Sequence, residues 1–166
     1  MKSKHTVIDN FLSDDEFVKV KDVMMGDLIP WYLNVGKVFS DDKEYQLIHT
    51  FYSENCVKSE WISYLKPIVV KLEAVSLLRI KANLTPGVGE NKLTEFHVDV
   101  VKKQREGWCT SIFYINTNDG YTALRDGTKI ESVANRLLTF PSATLHAGST
   151  CTDENVRVLI NFNYIV

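Results

Sequence analysis

A histidine and a carboxylate stand two residues apart in Leu93-Thr94-Glu95-Phe96-His97-Val98-Asp99. On a β-strand, alternate side chains share a face, so His97 and Asp99 would point the same way with Cα atoms about 6.6 Å apart. Two such side chains can converge on one ion. A second histidine, His146, follows on a later hydrophobic segment, and Arg157 opens the apolar run Val156 to Val166. Two imidazoles and one carboxylate would leave roughly three of six octahedral positions open, the arrangement suited to non-haem Fe(II) and oxygen. The alternative for His97 and Asp99 is a structural hydrogen-bonded pair. Strand alternation also puts Arg157, Leu159, Asn161 and Asn163 on one face. An inward guanidinium needs an anion. A bound carboxylate would match its planar fork, and a salt bridge to Glu95 or Asp153 is the competing reading.

The elements that must position these groups can be read in order. His5 to Ile8 reads as a short strand, and Ser13-Asp14-Asp15-Glu16 has capping-box spacing. Phe17, Val20, Val23 and Met24 follow at helical intervals, with Gly26 as a stop. Trp31–Val35 and Gln46–Tyr52 read as strands around the turn Ser40-Asp41-Asp42-Lys43, with His49 as a packed strand residue. Val57 to Ala74 reads as helical, and Pro67 predicts a kink or two short helices. Beyond it come predicted strands at Ser76–Leu84, Lys92–Asp99, Trp108–Asn116, Tyr121–Leu124, Thr128–Val133, Arg136–Phe140, Thr144–Gly148 and Val156–Ile165. Turn residues such as Asn118-Asp119-Gly120 and Asp126-Gly127 punctuate them. Eight short strands behind a helical lead-in predict a mostly β protein, a sandwich or barrel buttressed by N-terminal helices.

The 166 residues suit a single domain, 1–166, with residues 1–75 as lead-in and 76–166 as the core that carries the site. A net charge of −2 gives no global reason to expect nucleic acid as a partner. No apolar run reaches the roughly 18 residues of a membrane span. Three widely spaced cysteines, Cys56, Cys109 and Cys151, form no Cys-x-x-Cys and point to a reducing, cytoplasmic setting.

The order of motifs resembles the Fe(II)/2-oxoglutarate-dependent dioxygenases, and over residues 76–166 their prolyl 4-hydroxylase-like branch. The residues that carry the resemblance are His97-Val98-Asp99, Thr110-Ser111-Ile112-Phe113-Tyr114, Gly120-Tyr121-Thr122, Arg136 to Phe140, His146-Ala147-Gly148 and Arg157. The resemblance implies a double-stranded β-helix (jelly-roll) fold. It implies Fe(II) on His97, Asp99 and His146, and the distal carboxylate of 2-oxoglutarate on Arg157. It further implies O₂ as cosubstrate, succinate and CO₂ as products, and hydroxylation of a C–H bond. Many prolyl hydroxylases carry Lys where this chain has Arg157. Asn83 stands where the branch has a cosubstrate-binding Tyr; a comparable Asn serves the alkylation-repair oxygenases, and a strand-end turn role is the alternative.

Thr110 and Tyr114 share a face of their strand and are candidate cosubstrate contacts, with core packing as the alternative. Asn161, on the Arg157 face, is a further candidate. The basic segment 100–107 reads either as a solvated loop or as a substrate lid. Two other functions fit the same three ligands: a Zn(II) hydrolase with Glu95 as base, and a cupin-like module that binds a carboxylate without turnover. Peptidyl proline, a free amino acid and another small metabolite remain open as substrates, nucleobases are disfavoured by charge, and the oligomeric state is left open.

Overall fold

The computed structural model describes residues 4–35, 45–99 and 107–166. The chain starts with β1 (Thr6–Ile8) and α1 (Asp14–Met25), then β2 (Tyr32–Val35), β3 (Tyr45–Ser53) and β4 (Cys56–Val57). A 3₁₀ turn (Glu60–Leu65) leads into α2 (Lys66–Lys71) and then β5 (Ser76–Pro86). After it come β6 (Cys109–Tyr114), β7 (Asn118–Leu124), β8 (Lys129–Ser132), β9 (Leu137–Pro141), β10 (His146–Gly148) and β11 (Val156–Ile165). The predicted turn at Ser40–Lys43 and the predicted lid at 100–107, apart from Gly107, lie outside the described residues.

Local chemistry explains the lead-in. The Ser13 hydroxyl accepts from the Glu16 amide at 3.4 Å, and the Glu16 carboxylate accepts from the Ser13 amide at 3.1 Å, closing the predicted capping box. Pro67 does not kink a long helix. It sits at the start of α2, where the missing N–H would have had no partner, and the residues before it form the separate 3₁₀ turn. His49 is a packed strand residue as predicted. Its ring nitrogens meet the Pro30 carbonyl at 2.7 Å and the Ser59 hydroxyl at 2.8 Å.

Two antiparallel sheets make the body. The larger runs β1-β9-β6-β11-β5-β3-β2, with β4 beside β3, and the smaller runs β10-β7-β8. Central strand β11 is buried on both faces, and its alternation separates two cores. Val158, Ile160 and Phe162 pack with Ile80 and Ala82 of β5 against Val20, Met24 and Ile68 of the helices. Leu159 faces the other way and packs with Ile112, Tyr114, Leu124 and Ile130 between the sheets. The result is a mostly β jelly roll whose helices cover one outer face. No helix among the described residues is long and apolar enough to cross a membrane.

The predicted strand Lys92–Asp99 is not a regular strand. Only Leu93↔Ser149 and His97↔His146 form bridges. Four positions separate Leu93 from His97, but three separate His146 from Ser149, so one extra residue must be absorbed between the bridges. Such an irregularity breaks the ladder and re-aims the side chains around it.

Candidate metal centre and its anion pocket

His146 enters from the start of β10, and His97 lies beside it through paired backbone bonds, His97 N–H to His146 O at 2.9 Å and the reverse at 3.0 Å. The chain bends at Asp99, which brings the carboxylate under both rings. The carboxylate lies 3.9 Å from His97 Nε2 and 3.7 Å from His146 Nε2. One ligand atom from each of the three residues falls within 4.8 Å of the others.

Both imidazoles are oriented from behind. His97 Nδ1 meets the Glu95 carbonyl at 3.1 Å and His146 Nδ1 meets the Thr144 carbonyl at 3.0 Å. A carbonyl only accepts, so each Nδ1 carries a proton and each Nε2 is the nitrogen turned to the centre. Phe140 packs on the His146 ring at 4.8 Å between centroids. Burial, and then the neighbouring His146, lower the His97 pKa, which favours the uncharged ring a metal needs.

Asp99 has an outer frame that the sequence reading missed. An Arg79 guanidinium nitrogen lies 3.1 Å from one carboxylate oxygen, and Asn163 donates to the other at 3.4 Å. Arg79 also donates to the Asn163 amide oxygen at 3.2 Å, and Thr110 accepts from Asn163 at 3.0 Å. Burial pushes the Asp99 pKa upward, but His146, Arg79 and His97 together outweigh it and hold the carboxyl below its usual range. The group is therefore a carboxylate, as ligation requires.

At the other end of the same cavity sits Arg157, only 3% exposed. It donates from Nε to Ser132 at 2.7 Å and from a terminal nitrogen to Thr122 at 3.2 Å, and its guanidinium lies 5.7 Å from the Tyr114 ring centroid. Tyr114 in turn donates to Thr122 at 2.8 Å. No carboxylate pairs with Arg157 among the described residues: Glu95 is exposed, and Asp153 accepts instead from the Asp119 amide. Glycines make room for it. A Cβ on Gly120 would stand 2.6 Å from Arg157 Cδ, and one on Gly148 would stand 3.4 Å from a terminal nitrogen.

Between these ends the cavity is walled by β5 and β11. Their register places Thr85 opposite Arg157, Asn83 opposite Leu159, Lys81 opposite Asn161, and Arg79 opposite Asn163. Asn83 and Asn161 line the cavity, and the buried side-chain oxygen of each has no hydrogen-bond partner among the described residues. Thr110 and Tyr114, expected as cosubstrate contacts, do not line it; of the inward side chains of β6 only Ile112 does. They brace the residues that do: Thr110 through Asn163, and Tyr114 through Arg157 and Thr122. Lys81 and Gln46 line the cavity without having been singled out. The signal was present in the alternation Arg79-Lys81-Asn83-Thr85, a polar face on an otherwise apolar strand.

The same architecture occurs in solved proteins. A prolyl hydroxylase from Trichoplax adhaerens, in complex with a hypoxia inducible factor oxygen degradation domain peptide fragment, matches with a TM-score of 0.67. It is 16% identical over 98% of this chain and 84% of its own. A prolyl-4-hydroxylase from Pseudomonas putida matches at 0.63, 17% identical over 99% of this chain and 94% of its own. A non-haem α-ketoglutarate-dependent epimerase from nogalamycin biosynthesis matches at 0.69, 9% identical over 98% and 76%. The chain has the fold of these oxygenases. No protein-family model and no curated protein sequence matches it. Because an epimerase and prolyl hydroxylases share this jelly roll, the fold leaves the reaction to the residues of the site. Two imidazole nitrogens and a carboxylate would suit Fe(II), and a buried guanidinium with no carboxylate partner among the described residues would suit a dianionic cosubstrate.

Proposed function

We propose that this chain is an Fe(II)/2-oxoglutarate-dependent dioxygenase that hydroxylates a C–H bond of a small-molecule or peptide substrate. The observation that carries the reading is one cavity with the His97–Asp99–His146 cluster at one end and Arg157, without a carboxylate partner among the described residues, at the other. Bound Fe(II) would supply oxygen activation, coupled to oxidative decarboxylation of 2-oxoglutarate to succinate and CO₂. His97 and His146 would hold the metal through Nε2, with ring orientation fixed by the Glu95 and Thr144 carbonyls. Asp99 would hold it through a carboxylate kept ionised and steered by Arg79 and Asn163. Arg157 would bind the cosubstrate's distal carboxylate, with Ser132, Thr122 and Tyr114 fixing its direction. Asn83 would border the space between, and Leu159 and Ile112 would keep part of its wall dry. The three unpaired thiols suit a reducing compartment such as the cytoplasm.

The test begins without air. Fe(II) and 2-oxoglutarate together should produce a visible charge-transfer band that neither gives alone, and admission of O₂ should yield succinate. Asp99→Ala should remove the band and lower succinate formation by more than about 100-fold, since even outer partners of a metal ligand are worth 10–100-fold. Turnover retained in that variant would sink the assignment. A hydrolase would instead act anaerobically with Zn(II), and a binding module would show the band but release no succinate. Glu95, the candidate base for hydrolysis, is exposed and meets the site through its carbonyl.

A further inference from the structure

The cavity contains a cation, Lys81, to which neither the metal cluster nor the Arg157 end assigns a partner. Arg79 is taken by Asp99, and Arg157 is committed to the cosubstrate in the reading above. Lys81 lines the same wall, and no carboxylate lies within ion-pair distance of it among the described residues. Asp99 and Arg79 are the charged groups that act on it. Burial, then repulsion from Arg79, lowers its pKa to about 8 against the attraction of Asp99, the condition of an ammonium short of a counter-ion. Divalent iron, Arg157 and Lys81 outweigh a dianionic cosubstrate, so the loaded site retains positive charge that an anion would offset.

A second unmet group lies beside it. Asn161 is the direct cross-strand neighbour of Lys81, and its side-chain oxygen is buried with no hydrogen-bond partner among the described residues. Directly paired residues have Cβ atoms about 4.5–5.5 Å apart, so a compact ligand can touch both side chains. Ionised 2-oxoglutarate donates no hydrogen bond and cannot satisfy an amide oxygen. The missing ligand therefore carries an anion and an N–H or O–H donor on adjacent atoms.

We propose that the primary substrate is a free amino acid, its carboxylate held by Lys81 and its ammonium by the side-chain oxygen of Asn161. This rests on the dioxygenase reading and narrows its substrate. A peptide bond would remove the charge from a residue's carboxyl or amino group, so an internal peptide residue cannot fill both positions.

The experiment uses the full chain under nitrogen with Fe(II) and saturating 2-oxoglutarate. The probes are L-proline, L-glutamate and L-lysine, each also tried as its carboxamide and as the residue within a blocked peptide. Thermal shift reports binding, and succinate formed after admission of air reports stimulation. At least one free amino acid should bind and stimulate, with its amide and blocked peptide at least tenfold weaker in both readouts. Lys81→Met should raise the amino acid concentration required by tenfold or more and the 2-oxoglutarate requirement by less than twofold; Lys81→Arg should restore the preference for acids. Three outcomes overturn the proposal: amides or blocked peptides as effective as free acids, a Lys81→Met effect that falls on 2-oxoglutarate, and no amino acid binding in a protein that binds 2-oxoglutarate. If 2-oxoglutarate itself fails to bind, the dioxygenase reading has failed first, which separates the two failures.

Discussion

Arg157 and Lys81 face one cavity from adjacent strands, and they are held in opposite ways. Arg157 is gripped by Ser132 and Thr122 beneath the Tyr114 ring, while Lys81 has no hydrogen-bond or ion-pair partner among the described residues. A guanidinium with its donors already directed loses little freedom on meeting a carboxylate. That is the economical design for a partner that is the same in every turnover. An ammonium on a flexible stem with no fixed partner suits a ligand whose shape the site need not match closely. The difference separates a prepared end of the cavity from an adaptable one.

The most severe way to break this contrast is Arg157→Ala. Truncating one member of a buried charge pair costs 2–5 kcal/mol, which predicts a rise of roughly 30-fold or more in the 2-oxoglutarate requirement. Titration of the charge-transfer band measures it directly. An unchanged requirement would move the cosubstrate anchor elsewhere and leave the preparation of Arg157 without a purpose.

A smaller change tests the preparation itself. Gly120→Ala places a methyl group 2.6 Å from Arg157 Cδ and 2.7 Å from the Asn118 side-chain oxygen, so the arginine stem must move. The guanidinium keeps its charge but loses its aim, and misplacement near reacting groups is costly. We expect an approximately tenfold weaker 2-oxoglutarate affinity, with the metal affinity of the protein in equilibrium dialysis changed much less. Equal losses in both would mean that the hairpin as a whole had shifted.

The two ends also differ in how legible they were. His97, Asp99, His146 and Arg157 declare themselves by residue type, because a histidine pair with a carboxylate, or an arginine in an apolar strand, demands a partner. Strand positions followed from alternation and turn residues, and β11 matches its predicted bounds. The pairing beside His97 did not follow, because a one-residue mismatch with β10 depends on two segments at once. Thr110 and Tyr114 show a second limit. Alternation gave them a common face, but they stand four residues apart, about 13 Å along the strand. Their partners on β11 are Asn163 and Leu159, at opposite ends of the site, and neither level leaves them open to the cavity. Lys81 was hidden differently: a lysine in a strand reads as a solvated edge until the register sets it against Asn161.

The mildest prediction concerns stability and sharpens the same contrast through pH. The Lys81 pKa falls from 10.5 in the open chain to about 8 in the fold. Between those values the unfolded chain holds a proton that the folded one has released, so stability contributed by this group rises with pH across that window. Below about pH 8 the penalty of a poorly compensated ammonium is fully present. Lys81→Met removes it and should stabilise the ligand-free protein by about 1–3 kcal/mol at pH 7. The advantage should shrink towards zero near pH 10.5, where wild type has shed the charge. Arg157→Met gives up both a buried charge and the bonds to Ser132 and Thr122, so its change in stability should differ little between the two pH values. Urea unfolding of both variants at the two pH values makes the comparison. A Lys81→Met gain that is the same at pH 7 and pH 10.5 would mean that packing, not charge, had been relieved, and the lysine would no longer count as a cation kept waiting for an anion.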